Sequence, residues 1–322
     1  MNRATLIFAA LLLLAFPLTL LAGRVWIDPA STPNAALIVM ELRLPRSILA
    51  IIVGAGLGAA GAAMQGYLRN PLADPGLFGI APMAALGAVA SFWFGYSASA
   101  YLLPLFALLG AASGMAMLAI IAGRTSSGKG GGIALFTLAG LMIASLAGAL
   151  TALAITLSPN AFAMSEIVLW LNGALTDRSW REVAIAAPCV AAGLVLLAMA
   201  SKPLDAMTLG QEAAQSLGVR PALLLWLLVG GVGLTVGASV AVAGIIGFVG
   251  LIVPHLVRPL TDRLPSSLIV PSALAGALLV LVADSVVRIL PLVTELRLGI
   301  ALSLIGAPFF LHLLLKMRRG RV

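Results

Sequence analysis

The sequence contains few charged residues and almost no cysteine. Only 9% of its 322 residues are charged and 61% are hydrophobic, whereas a typical soluble domain is about 25% charged. This composition excludes a water-soluble fold, because no compact domain could bury so much apolar surface. The lone Cys189 excludes a disulfide within the chain. It lies inside an apolar run, where a small packing residue is expected.

Most of the sequence consists of long apolar runs. A helix that crosses a bilayer needs about 20 mostly apolar residues. The sequence has ten candidate spans, of which the eighth is short, at 4–22, 47–67, 77–95, 101–122, 133–157, 183–200, 222–243, 245–257, 268–287 and 298–315. No polar stretch between them is long enough for a soluble domain. We therefore predict an all-α integral membrane protein in which residues 1–322 form a single transmembrane domain.

The first span resembles a signal peptide but is expected to remain uncleaved. Its apolar run is longer than the roughly 7–15 residues usual in signal peptides. Leu20 is also a poor residue for the position three before a cleavage site.

The net charge of +8 is attributed to membrane topology rather than to nucleic acid binding. Basic residues concentrate on the cytoplasmic side of membrane proteins, and the C-terminal "KMRRGRV" carries four. With both termini cytoplasmic, ten spans place twelve basic residues inside and seven outside. The seven outside are Arg24, Arg43, Arg46, Arg178, Arg181, Arg288 and Arg297.

A glycine-rich stretch, "GRTSSGKGGG" at 123–132, has the spacing of a phosphate-binding loop. Such a loop joins a strand to a helix and ends in Ser or Thr, which binds magnesium. Here an apolar span precedes the match, and Gly130 stands where the hydroxyl residue should be. We interpret the stretch as a cytoplasmic turn, so any ATP hydrolysis must occur on another chain.

Two spans are rich in small residues, which allow close helix packing in a bilayer. Gly54, Gly58 and Gly61 lie in the second span, and Gly233 and Gly237 lie in the seventh. Tight packing explains them, and both spans could also line a central seam. Segments 53–61 and 236–244 match one another, which raises the possibility of an inverted repeat.

Several polar segments are not explained by membrane crossing. They are "ELRLPRSILAIIVGAGLGAAGAAMQGYLRNPLADPGLFGI" (41–80), "LGQEAAQSLGV" (209–219), "GFVGLIVPHLVR" (247–258), "ADSVVRI" (283–289) and "GAPFFLHLLLK" (306–316). In this order the set resembles the FecCD-type family, the permease subunits of binding-protein-dependent ABC importers for ferric chelates, haem and cobalamin. The resemblance covers nearly the whole chain.

The resemblance implies the type II ABC importer permease fold, about ten transmembrane helices, and a location in the bacterial inner membrane. It implies a homodimer with the pathway on its axis, two separate ABC ATPase subunits and one periplasmic substrate-binding protein. The chain itself would be no enzyme, would need no cofactor, and would contact membrane lipid but no nucleic acid. The substrate would be haem, cobalamin or a ferric siderophore.

The resemblance also assigns site residues. Arg43, Arg46 and Arg288 match outward arginines that pair with carboxylates of the binding protein; otherwise they are ordinary basic residues at helix ends. Asn70 and Leu72 match a cytoplasmic constriction. A second constriction would lie near Gly132 and Ile133, where the hydroxyl residues of cobalamin permeases are missing.

The segment at about 205–219 resembles the family's ATPase coupling segment. Glu212 would lie near a helix start, where negative charge is favourable, and Ala213, Ala214 and Leu217 would form a narrow apolar face. Gly218 could end the helix. The coupling residues expected from the match are Gly210, Gln211, Glu212, Ala213, Leu217 and Gly218. A surface helix without a partner is the alternative.

The sequence gives less support to other functions. An ion-coupled secondary transporter of a small apolar solute would need acidic residues at mid-membrane, but nearly every carboxylate lies in a loop or near a span end. An intramembrane enzyme would need a nucleophile paired with a base. His255 is expected to be structural rather than a haem ligand, and His312 to be a core or pathway residue. Asp284 could pair with Arg288, one helical turn on, and no cluster of metal ligands is expected.

Overall fold

A computed structural model describes residues 3–28, 32–96, 99, 101–123 and 132–318, which fold into α-helices without any strand. The helices are α1 (Arg3–Leu21), α2 (Ala35–Leu37), α3 (Leu44–Leu68), α4 (Ile80–Trp93), α5 (Leu102–Gly123), α6 (Gly132–Thr156), α7 (Ala161–Leu171), α8 (Trp180–Met207), α9 (Gln211–Ser216), α10 (Pro221–Ala243), α11 (Val249–Val257), α12 (Pro265–Ile289) and α13 (Leu298–Arg318). A π-helical stretch, Ile38–Arg43, joins α2 to α3. The predicted all-α class is confirmed.

Eight helices among the described residues are long and apolar enough to cross a membrane: α1, the continuous helix Ala35–Leu68, α5, α6, α8, α10, α12 and α13. The remaining two predicted spans contain the short helices α4 and α11. Residues with positive φ precede both, Gly79 before α4 and Phe248 before α11. The short helix α7 falls between predicted spans and was not anticipated.

Helix α3 lies at the centre of the fold, packed against α8, α10, α11 and α12. Its glycines meet the backbones of two of these neighbours. A Cβ added at Gly54 would lie 2.3 Å from the carbonyl oxygen of Gly276, and one at Gly61 would lie 2.0 Å from that of Gly250. Gly58 makes the same kind of contact with Ser272. The predicted close packing is therefore confirmed.

The glycines of helix α10 pack against a different helix from those that contact the glycines of α3. Gly233 packs on Met115 and Gly237 on Ala111, both in α5. The segments matched in sequence also differ locally, since Gly61 lies within α3 whereas Gly244, with a φ of 72°, ends α10. Their conformations therefore give no support to the inverted repeat.

The helices define two ends of the molecule. At the Arg46 end, Arg46 contacts Glu295 and the carbonyls that end α1 accept hydrogen bonds from Arg43. At the Gln211 end, where α9 lies, the backbone N–H of Ser266 donates to Asp205. Helix α1 finishes and α13 begins near the Arg46 end, where Gly299 donates to Gly173. The start of α1 and the end of α13 therefore share the Gln211 end.

The glycine-rich match at 123–132 lies largely outside the described residues. Only its limits are defined, with Gly123 ending α5 and Gly132 beginning α6. Lys129, Arg124 and the last basic residues of the chain also lie outside the described part. The interpretation of this stretch as a turn stays a prediction.

We predict that Gly54→Ala destabilises the protein, because the added methyl group meets backbone atoms of α12 that cannot rotate away. Overpacking of a filled interior costs about 1–3 kcal/mol. The matched control is Gly148→Ala, since a Cβ there meets nothing within 4 Å. Thermal melting of the purified variants in detergent should show a lower midpoint for Gly54→Ala only. Equal midpoints would contradict the packing argument.

Candidate functional site

Five arginines surround an open cavity of about 640 Å³ at the Arg46 end. The cavity lies between the end of α1, the start of α3, the start of α8 and the end of α12. We call these residues the arginine cluster: Arg24, Arg43, Arg46, Arg178 and Arg288. The structure thus brings together the three predicted docking arginines and adds two for which the sequence suggested no role.

Arg46 forms the central ion pairs of the cluster. Its Nε and Nη2 donate to the Asp284 carboxylate at 2.9 and 2.8 Å, and Nη2 also donates to Glu295 at 2.7 Å. The Thr176 hydroxyl donates to the same Glu295 carboxylate at 2.8 Å. The Arg46 side chain is 11% exposed and that of Asp284 is 1% exposed. These charge-assisted bonds join α3, α12 and the segments before α8 and α13.

Arg43 and Arg288 are also bonded within the protein. Arg43 donates to the carbonyls of Leu20 and Leu21. These carbonyls lie in the last turn of α1 and have no N–H donor within that helix, so Arg43 caps it. Arg288 donates to the Thr19 carbonyl at 3.2 Å and lies 3.7 Å from Asp284. The predicted Asp284–Arg288 pair therefore exists, although Asp284 lies closer to Arg46.

Glu295 lies in the segment between α12 and α13. Burial raises the pKa of its carboxyl, but the hydrogen bonds and charge of Arg46 outweigh burial and hold that pKa below its ordinary value. A carboxyl with a lowered pKa stabilises the fold above its ordinary pKa. This contribution is lost only as the pH falls through the lowered pKa, so the Arg46–Glu295 pair persists at neutral pH.

We predict that Asp284→Asn lowers stability strongly, because it removes the most buried carboxylate beside Arg46. Removing one partner of a buried ion pair costs about 3–5 kcal/mol, and the loss should fall near the lower limit since Arg46 keeps Glu295. Glu41→Gln, at an exposed residue lining the same cavity, is the control. Melting midpoints at neutral pH measure both. A stable Asp284→Asn variant would contradict a structural role for this pair.

The predicted gate residues lie in a tight turn at the Gln211 end. Helix α3 ends at Arg69, whose φ is 50°. The Asn70 side chain accepts a hydrogen bond from the Leu72 backbone at 2.9 Å, and the Asn70 backbone N–H donates to Gln65. Asn70 is exposed and Leu72 is half-buried. The turn is thus fixed by local hydrogen bonds.

The predicted coupling segment contains helix α9, bounded by Gly210 and Gly218 with φ values of 105° and 88°. Glu212 lies exposed in its first turn, as expected from the sequence.

The apolar face predicted for this segment is divided in the structure. Ala214 is fully buried against its own chain, Ala213 is half-buried, and Leu217 is 66% exposed. The prediction of one face was wrong, because α9 is only one and a half turns long and Leu217 follows its end. Leu209, 68% exposed, provides a second outward apolar side chain that the sequence analysis missed.

The remaining candidate residues are dispersed. Within the described ranges no three His, Cys, Asp or Glu side chains are grouped as metal ligands. His255 packs its ring on Phe309, consistent with the structural role expected for it. Cys189 is half-buried within α8.

Comparison with known proteins identifies the family to which this chain belongs. The sequence model of the FecCD transport family matches residues 11–316. This chain belongs to the FecCD transport family. The chain is 35% identical to the Fe(3+)-citrate import system permease protein YfmE of Bacillus subtilis (strain 168), over 97% of this chain and 94% of the relative. It is 36% identical to the vitamin B12 import system permease protein BtuC of Escherichia coli O9:H4 (strain HS), over 98% and 96%.

A solved structure agrees with the sequence comparison. An inward-facing structure of a metal-chelate type ABC transporter superposes with a TM-score of 0.88 at 31% identity, covering 97% of this chain and 98% of the other. The FecCD chain is therefore a multi-pass membrane permease with the type II importer fold, and its relatives are transport subunits rather than enzymes.

Proposed function

We propose that this FecCD chain is the permease subunit of an ATP-driven importer that moves a metal chelate from the periplasm to the cytoplasm. The observation that supports this most is similarity along nearly the whole chain to permeases named for Fe(3+)-citrate and vitamin B12. Both named substrates are metal chelates, and haem is a third candidate. The transported metal would stay inside its chelate, so the permease would need no metal ligands of its own.

The proposed assembly contains two copies of this chain, two ATPase subunits and one periplasmic binding protein. ATP would be hydrolysed by the ATPase subunits, and the chelate would pass along the axis between the two permeases. The Gln211 end would face the cytoplasm. The excess of basic residues predicted for that side supports this orientation, as does the placement there of the start of α1 and the end of α13.

The coupling segment is the proposed ATPase contact. Leu209 and Leu217 are largely exposed beside Glu212 at the Gln211 end, whereas Ala214 fixes α9 to the rest of the chain. Two exposed leucines next to an acidic residue suit a partner groove with apolar walls and a basic rim. Glycines on both sides of α9 allow the sharp changes of direction that present this surface. Gly210, Gln211 and Ala213 would act as its support.

We predict that Glu212→Ala combined with Leu217→Asp reduces transport by about tenfold or more without reducing membrane insertion, because it places charge where the groove is apolar. A loss of a few buried apolar contacts is worth about 1–3 kcal/mol. The matched control is Glu166→Ala combined with Leu157→Asp, which makes the same substitutions at the Arg46 end but away from the residues that line the arginine-cluster cavity. Uptake and ATP hydrolysis are measured in proteoliposomes. Normal uptake by the Glu212/Leu217 variant would contradict the coupling assignment.

The arginine cluster is the proposed docking site for the binding protein. Its cavity opens at the Arg46 end, which would be periplasmic, and a dimer would present it twice. A bilobed binding protein could place one carboxylate cluster over each cavity. Arg46 would contribute chiefly through its positive field, because its guanidinium group is bonded to Asp284 and Glu295. Arg288 would act in the same way because it is buried. Arg43 also donates to backbone carbonyls, but it is the least buried of the predicted three.

We predict that Arg43→Gln weakens docking of the cognate binding protein by about tenfold or more, since charge pairs across interfaces couple by about 1.5–7 kcal/mol. Glutamine keeps an amide donor for the α1 carbonyls, so the fold should be retained. Arg181→Gln, an exposed arginine at the same end but outside the cavity, is the control. Binding to the reconstituted complex is measured at low and high salt. Unchanged affinity and salt dependence for Arg43→Gln would mean that Arg43 only caps α1.

The turn with Asn70 and Leu72 is the proposed cytoplasmic gate. It lies at the Gln211 end directly after the central helix α3, so a movement of α3 would displace it. Leu72 provides an apolar side chain that two subunits could bring together on the axis. The hydrogen bonds of Asn70 would keep the turn intact while it moves.

A further inference from the structure

Proline interrupts the hydrogen bonding of the short helix α11. In an α-helix each carbonyl accepts from the N–H four residues later. The residue four after Gly250 is Pro254, which has no N–H, so the Gly250 carbonyl has no donor within its helix. Gly250 is buried next to α3. A buried backbone carbonyl without a donor costs free energy comparable to a lost hydrogen bond, because water does not reach it.

A side chain of α3 supplies the missing donor. The Nε2 of Gln65 lies 3.4 Å from the Gly250 carbonyl and 3.3 Å from that of Leu251. Its Oε1 accepts from Nη2 of Arg258 at 2.8 Å. This environment defines the orientation of the amide, since carbonyls need a donor and a guanidinium needs an acceptor. Gln65 is only 2% exposed, so the whole amide is used inside the protein.

The same glutamine begins the turn that contains the proposed gate. The backbone carbonyl of Gln65 accepts from the N–H of Asn70 at 3.2 Å. Beyond the turn, the ring of Pro75 packs on Gly250, where an added Cβ would lie 2.6 Å from Pro75 Cδ. Both ends of the turn are therefore attached to α11, one through the Gln65 amide and one through Pro75.

We propose that Gln65 is a positioning residue that makes the Asn70–Leu72 turn and helix α11 move as one unit. The amide bonds both the first turn of α11 and Arg258 just after its end, so it fixes the position of α11 along α3. The consequence for gating rests on the proposed transport function, but the positioning is a property of the permease alone. It can therefore be tested without a partner or a substrate.

The test is hydrogen–deuterium exchange on the purified permease in lipid nanodiscs. Gln65→Met keeps the length of the side chain but removes its donor and acceptor. We expect exchange to become roughly tenfold faster in both 66–74 and 249–258, the size expected when buried acceptors lose their donor. The control is Thr235→Val, because the buried Thr235 hydroxyl bonds only carbonyls of its own helix. It should leave both segments unchanged.

A second variant tests the role of Pro254. Pro254→Ala in the Gln65→Met background restores an N–H for the Gly250 carbonyl, so exchange in α11 should slow towards the wild-type rate. Exchange in 66–74 should stay fast, because the amide that joined the two segments is still missing. No effect of Pro254→Ala would overturn the argument that Gln65 replaces the missing donor.

Three further results would also overturn the proposal. They are unchanged exchange in Gln65→Met, faster exchange in 249–258 alone, and an equal increase throughout α12, which would indicate general destabilisation. The proposed function can fail separately. If the wild-type complex transports no chelate while exchange changes as expected, the positioning role stands and the importer assignment does not.

Discussion

The fold depends on direct backbone contact between α3 and its neighbours. Gly54, Gly58 and Gly61 allow α3 to approach α12 and α11 so closely that a single methyl group would collide with carbonyl oxygens. Helices in lipid have no hydrophobic driving force for association, because the lipid tails are as apolar as the side chains, so close packing must hold the helices together. With α3 fixed in this way, the residues at its two ends acquire defined positions: Arg46 at one end and the turn after Leu68 at the other.

Buried polar side chains add hydrogen bonds to the close helix contacts that the glycines allow. At one end Arg46 joins α3 to Asp284 and Glu295, and at the other Gln65 joins it to α11 and Arg258. Both side chains lie on α3 and are largely buried, so each replaces contacts that water would otherwise provide. The central helix is therefore linked by hydrogen bonds near both faces of the membrane. A displacement of α3 would therefore move both the arginine cluster and the turn after Leu68.

Much of this architecture could be predicted from the sequence because its causes are local. Apolar run length predicted the eight long helices, glycine spacing predicted close packing, and Glu212 and Gly218 predicted the start and end of the short helix α9. The partners of Arg46 could not be predicted, because Asp284 lies 238 residues away and only the fold brings the two together. The role of Gln65 was hidden for the same reason, although Pro254 within an apolar run was a usable signal. Helix α7 was missed because its apolar stretch is too short to cross a bilayer.

We propose that this chain transports by coupling to a separate ATPase rather than to an ion gradient. The most direct test is uptake of radiolabelled ferric citrate, haem and cobalamin into proteoliposomes, with the cognate binding protein outside. The account predicts uptake of one chelate only when the ATPase subunits and ATP are present inside, and none by the permease alone under a proton or sodium gradient. Gradient-driven uptake by the permease alone, without ATP, would contradict it.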